Sequence, residues 1–133
     1  MTVSQSQFRS DPAFTIERKE GRAPGTVIFR LSGPLTVRKM FESQSPDAVR
    51  NLLVSPSVPG VEPPKLNIFD LTGVPYMDSM GMGMIVTEYV RCQGKGVRLI
   101  IAGASPRVRE LLKLTKVDTV LPLTATVEEA DTA

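Results

Sequence analysis

Along this chain, short runs of consecutive apolar residues alternate with segments whose apolar residues recur every three or four positions. The first kind of run predicts buried strands and the second amphipathic helices. Phe14 and Ile16 begin a candidate edge strand over 13–19. Glu20-Gly21-Arg22-Ala23-Pro24-Gly25 then supplies a turn, and Thr26–Ser32 (TVIFRLS) is a β-branched, apolar second strand. The two strands predict a hairpin. Beyond Gly33-Pro34, Val37, Met40 and Phe41 take helical spacing, with Thr36 as cap. Pro46 restarts the helix behind Ser45, and Val49, Leu52 and Leu53 carry it to about Val54. The proline-rich stretch 55–64 predicts a loop.

Lys65–Asp70 (KLNIFD) has the near-continuous apolar character of a central strand buried on both faces. A loop over 71–78 leads to a helix over 79–93, anchored by Ile85, Val86, Tyr89 and Val90 and stopped by Gly94-Lys95-Gly96. Val97–Ala102 is another buried strand. Ser105-Pro106 opens a third helix as cap and first-turn proline, with Val108, Leu111 and Leu112 facing inward. Val120–Leu123 predicts a short last strand, and 127–130 a final helical turn. The order β-β-α-β-α-β-α-β-(α) predicts an α/β fold, in which helices pack on a mixed, mostly parallel sheet. One domain spans 13–130, behind a polar arm over 1–12 that is expected to be mobile.

Composition narrows the chemistry. The net charge of +2 lacks the basic excess expected of a nucleic-acid binder. With no histidine and a single cysteine, Cys92, histidine triads, histidine metal sites and intrachain disulfides are excluded, and a metal centre is not expected. Gly-Met-Gly-Met lacks the spacing of a dinucleotide fingerprint and there is no P-loop, so no cofactor is expected. The carboxylates Asp70, Asp78, Glu88 and Glu110 are not tied by spacing to a nucleophile or metal. No catalytic residue is therefore assigned and an enzyme is not expected. No apolar run approaches the ~18 residues of a membrane span. The N-terminal residues are polar, so the expected location is cytoplasmic, without membrane insertion. Cys92 reads as a helix residue packed on the sheet, and Arg107, Arg109 and Lys113 as a solvated helix face.

The informative segment joins the central strand to the next helix. Residues 70–83, D-L-T-G-V-P-Y-M-D-S-M-G-M-G, resemble the signature of STAS domains, a family named for sulfate transporters and anti-sigma-factor antagonists. Residues 95–122, KGVRLIIAGASPRVRELLKLTKVDTVLP, are similar to the elements that follow it in that family. The resemblance runs from Phe14 to Ala130 and is strongest from Lys65 onward. Met80 departs from it, since the family usually has serine or alanine there, and so does the proline-rich loop.

The resemblance implies an anti-sigma factor antagonist phosphorylated on Ser79. Met77, Asp78, Met80, Gly81, Met82 and Gly83 would form the partner-binding surface around it. The implied partners are an anti-sigma factor with serine-kinase activity and a phosphatase. Self-association as a weak homodimer is left open. Two alternatives keep the fold: a scaffold subunit of a stress-sensing assembly, and a soluble accessory subunit of a membrane lipid or anion transporter.

The residues give this a physical basis. A hydroxyl at a helix start faces unpaired N–H groups and the positive end of the helix dipole, where a phosphate is stabilised. Gly81 and Gly83 permit close approach of another backbone. Asp78 either orients the Ser79 hydroxyl or caps the helix. The plainer alternative makes Asp78 and Ser79 an N-cap pair and the glycines packing residues. Met77, Met80, Met82 and Met84 cannot all face one way, so some of them belong to the core.

Overall fold

The computed structural model describes residues 13–43 and 64–132. Strand β1 (Thr15–Glu20) turns through Gly25, which has a φ of +84°, into β2 (Thr26–Ser32). The two pair antiparallel from Thr15↔Ser32 to Glu20↔Val27, as the hairpin expectation required. Helix α1 (Val37–Ser43) follows. The expected continuation of α1 from residue 44 to 54, and the loop over 55–63, lie outside the described residues, as does the arm over 1–12.

Strand β3 (Leu66–Gly73) is central. Helix α2 (Ser79–Gly94), β4 (Arg98–Ala102) and α3 (Pro106–Leu114) come next. A short 3₁₀ turn (Val117–Thr119), β5 (Leu123–Thr124) and α4 (Val127–Asp131) end the chain. The sheet order is β1-β2-β3-β4-β5, with β2 to β5 mutually parallel. The fold is thus α/β with a mixed, mostly parallel sheet.

Alternation along the strands sorts the core into two layers. Val27, Phe29, Leu31, Phe69, Leu71, Leu99 and Ile101 face the helical side, where they meet Met40, Ile85, Cys92, Val108 and Leu112. Phe29 and Phe69 are adjacent β2/β3 partners whose rings meet edge to face at 5.7 Å and 85°. Such a pair adds about 0.5–1.5 kcal/mol beyond its burial. Ile28, Leu66, Ile68, Ile100 and Ala102 face the other side, where Ala130 and Val127 of α4 pack. Burial on both sides accounts for the unbroken apolar runs of β2, β3 and β4.

Three expectations are corrected. Residues 71–73 are strand rather than loop, because β3 continues past an irregularity opposite Arg30–Ser32 and pairs Gly73 with Ser32. Val90 is 60% exposed rather than a core anchor. The buried stripe of α2 is Gly81, Ile85, Glu88 and Cys92, and Val90 lies two residues, or ~200°, from Glu88 around the helix. The last strand begins at Leu123, not Val120. The N–H groups of Val120 and Leu121 both donate to the Val117 carbonyl, which winds this segment into a turn.

Candidate functional site

The site lies where β3 hands over to α2. Residues 74–78 leave the sheet edge, with Val74 fully buried and the Val74 N–H donating to Leu71 O at 2.9 Å. This segment runs beside Leu35. A parallel bridge joins Leu35 and Met77, the Leu35 N–H donates to Tyr76 O at 3.0 Å, and the Asp78 N–H donates to Leu35 O at 3.2 Å. The chain before α1 and the chain before α2 are therefore stitched together at the backbone.

Asp78 completes that junction. Its Oδ1 accepts from the Gly81 N–H at 2.8 Å and its Oδ2 from the Val37 N–H at 3.0 Å. One carboxylate thus caps two helices, α2 as its N-cap and α1 at its first residue. Thr36 adds a second cap to α1 by accepting from the Lys39 N–H at 3.2 Å. Of the two roles open to Asp78, the structure shows the cap. Both oxygens accept from backbone N–H groups.

Ser79 is the first residue of α2 and is exposed. Its hydroxyl makes no hydrogen bond among the described residues. Since Gly81 N–H is taken by Asp78 and Met82 N–H by the Asp78 carbonyl, only the Ser79 and Met80 N–H groups of the first turn lack an acceptor within the helix. The hydroxyl and these donors share the positive end of a 16-residue helix.

The other expected site residues divide sharply. Met80 is 59% exposed and Gly83 opens to free space, with nothing within 4 Å of a Cβ built on it. Gly81 is buried; a Cβ there would collide with the Leu35 carbonyl oxygen and lie 2.8 Å from Leu35 Cγ. Its missing side chain lets α2 seat on Leu35. Met77 is a core residue. Met82 and Met84 are half-buried against the core, and Met82 Sδ lies 3.2 Å from Thr115 Oγ1, a hydroxyl that also stands 2.8 Å from the Leu111 carbonyl oxygen, so α2 touches the end of α3 here.

The exposed residues of α2, namely Ser79, Met80, Gly83, Thr87, Val90, Gln93 and Gly94, include no charged side chain. The charged residues of α2 lie elsewhere: Glu88 is buried and its Oε1 stands 3.5 Å from half-buried Arg91. A contact not apparent in the sequence flanks the site, where the Arg107 guanidinium lies 4.7 Å from the centre of the Tyr76 ring. This cation–π pair brings the start of α3 against the loop before Ser79. Leu35 was equally hidden, since no local signal marks it as the floor of a helix begun more than forty residues later.

The remaining carboxylates have structural neighbours. Asp70 Oδ1 accepts from the Thr72 N–H at 2.9 Å and from its hydroxyl at 2.5 Å, and Glu110 is exposed on α3. Cys92 is buried against β3 and its Sγ accepts from Asn67 Nδ2 at 3.7 Å. Burial pushes its thiol pKa up; the Asn67 hydrogen bond opposes this less strongly. Among the described residues, no cluster of three metal-ligating side chains occurs, and no helix is long and apolar enough to cross a membrane.

The same architecture occurs in solved structures. An anti-sigma factor antagonist from Mycobacterium paratuberculosis superposes with a TM-score of 0.70 at 21% identity, over 90% of this chain and 92% of that one. The anti-sigma factor antagonist SpoIIAA in its unphosphorylated form gives 0.60 at 23% identity, over 89% and 92%. A sulfate transporter family protein from Wolinella succinogenes gives 0.66 at 22% identity, over 81% and 83%. At these identities the likeness is one of fold. The STAS domain profile matches residues 18–130, which include the whole junction from Leu35 to Gly83. The chain therefore belongs to the STAS domain family.

Proposed function

We propose that this protein is an anti-sigma factor antagonist that works by binding rather than turnover. Its unphosphorylated Ser79 surface takes up an anti-sigma factor with serine-kinase activity. Phosphorylation of Ser79 by that kinase ends the complex, and a phosphatase restores it. The cycle belongs in the cytoplasm. The observation that carries this reading is the exposed hydroxyl of Ser79, without a hydrogen-bond partner among the described residues, at the head of a helix whose exposed residues are uncharged.

An uncharged helix face is the kind of surface a partner can cover without stripping water from charges. Ser79, Met80 and Gly83 form its leading end, and Met80 offers a soft side chain that adapts to a partner. Met77 and Gly81 act beneath the surface and fix its geometry, as does Asp78. A phosphate on Ser79 adds about −1.5 to −2 charges at this end. Its own helix tolerates that charge, through the dipole and the free N–H groups. A dry contact does not, so the modification is read by the partner rather than by the fold.

The test is to incubate wild type and Ser79→Ala with ATP and the cognate kinase, then map the phosphate by intact mass and peptide sequencing. One added phosphate that is absent from Ser79→Ala supports the reading. No phosphate on wild type, together with unaltered partner binding by Ser79→Asp, would move the assignment to a constitutive scaffold or a transporter accessory subunit.

A further inference from the structure

Helix α3 touches the segment around Ser79 at two places, one on either side of it. The Arg107 guanidinium lies 4.7 Å from the centre of the ring of Tyr76, which precedes Ser79. Met82 Sδ, beyond Ser79, lies 3.2 Å from Thr115 Oγ1 at the end of α3. The strands that feed the two helices explain the approach. Asp70 of β3 pairs with Ala102 at the end of β4, and a Cβ built on Gly103 would collide with the Thr72 hydroxyl. The chain entering α3 is thus laid against the chain leading to α2.

Helix geometry then decides which side chains share the valley between them. At about 100° per residue, Ser79 stands about 60° around α2 from Met82, on the flank turned to α3. On α3, Arg107, Leu111 and Leu114 fall within about 60° of one another, beside Thr115, on the flank turned to α2. Arg109 and Lys113 lie about 120° or more from Arg107 around the same helix. Of the three cations of α3, Arg107 is therefore the one that faces Ser79.

Its position is also electrostatically unusual. Arg107 is exposed in the first turn of α3, where the helix dipole disfavours a cation. It has no ion pair among the described residues, although Glu110 follows one turn later. The charges on the other elements at this end are already committed. Arg38 and Lys39 of α1 stand 3.4 and 3.1 Å from Glu42, and the Asp78 carboxylate caps α1 and α2. A cation kept against the local rule, without a carboxylate, fits a negative charge that arrives later.

We propose, resting on the phosphorylation reading above, that Arg107 is the counter-ion of a phosphate on Ser79. In the unmodified protein its guanidinium rests on the Tyr76 ring. On phosphorylation it leaves the ring and takes two phosphate oxygens, the pairing for which its planar fork is suited, with no change in the backbone. Tyr76 and Ser79 are three residues and so at most about 11 Å apart between Cα atoms, a gap that a long arginine side chain can cross. The modification then changes the surface twice: it places an anion at Ser79, and it withdraws the cation from beside Tyr76.

The test uses protein with phosphoserine installed at position 79 during synthesis, so that no kinase is needed. Phosphorus NMR then follows the phosphate through its second ionisation, ordinarily near pH 6. A neighbouring cation favours the dianion, so the midpoint should lie at least about half a pH unit lower with Arg107 than in Arg107→Gln. Arg109→Gln should leave it where it is, and Arg107→Lys should restore part of the difference. The Arg107 Nε resonance should also move between the unmodified and the phosphorylated protein. Arg107 is exposed, so the unmodified variants are expected to keep the wild-type amide spectrum, which is checked first. Equal midpoints with and without Arg107, or equal rises in the two glutamine variants, would overturn the proposal. Such a result would leave the reading of Ser79 standing, since the kinase assay above judges that separately.

Discussion

Gly81 and Gly83 stand two residues apart in α2, and the same substitution is expected to act on them with opposite sign. At Gly83 an added Cβ meets nothing within 4 Å. Alanine there gains only the helix propensity that glycine lacks, about 1 kcal/mol. At Gly81 the Cβ would run into the Leu35 carbonyl oxygen and approach Leu35 Cγ to 2.8 Å. The carbonyl is backbone, and it accepts the Asp78 N–H at 3.2 Å, so it cannot swing aside without loosening the junction. Overpacking costs about 1–3 kcal/mol, and a clash with backbone that cannot give lies at the upper end, about 2–3, of which the propensity gain offsets about 1. Gly83→Ala should therefore be about 1 kcal/mol more stable than wild type and Gly81→Ala about 1–2 kcal/mol less stable. Urea unfolding followed by circular dichroism resolves this, since a slope of about 1–3 kcal/mol/M turns the gap into a midpoint difference on the order of 1 M. A Gly81→Ala protein as stable as wild type would refute the argument that Leu35 requires glycine there. Movement of both variants in the same direction by similar amounts would refute it equally.

The two-helix cap makes Asp78→Ala cost about 2 kcal/mol by urea midpoint, while Asp78→Asn, whose amide keeps one accepting oxygen, should lose only about half as much. Ser105 accepts from the Val108 N–H at 3.2 Å, so Ser105→Ala should cost about 1 kcal/mol in the same assay without affecting phosphorylation at Ser79. Because burial raises the Cys92 thiol above its ordinary value of 9.0, the protonated form is the one the fold favours. Its contribution to stability is then complete below that value and declines as pH rises toward the folded one. Thiol-reagent labelling of native protein at pH 8 should accordingly run at least tenfold slower than in urea, and equal rates would show that Cys92 is not enclosed.

Much of the architecture is written in local pattern. Ser105-Pro106 marks the start of α3, and the β-branched run Thr26–Ser32 gives β2 with both its ends. Asp78 is followed by a helical stripe, and the start of α2 falls at Ser79 for that reason. What the sequence conceals is set by distant partners. Thr72 and Gly73 look like the beginning of a loop, yet they stay in the sheet because Ser32 offers a pairing position. Val90 looks like an anchor because it is apolar, but the helix turns Glu88 and Cys92 inward, and the ion pair with Arg91 makes burial of Glu88 tolerable. The candidate site shows the same division. Ser79, Met80 and Gly83 can be picked out from the signature, whereas the floor beneath them, from Leu35 to Val37, belongs to a segment whose role appears only when the two helix starts are brought together.

The central claim is that a single phosphate on Ser79 decides whether this surface binds. Isothermal titration of the cognate anti-sigma factor with unmodified protein, and with protein phosphorylated stoichiometrically on Ser79, tests it most directly. An uncompensated charge in an excluded contact costs about 3–5 kcal/mol, so the phosphoprotein should bind at least about 100-fold more weakly than the unmodified form. Equal affinity of the two forms for the same partner would contradict the account.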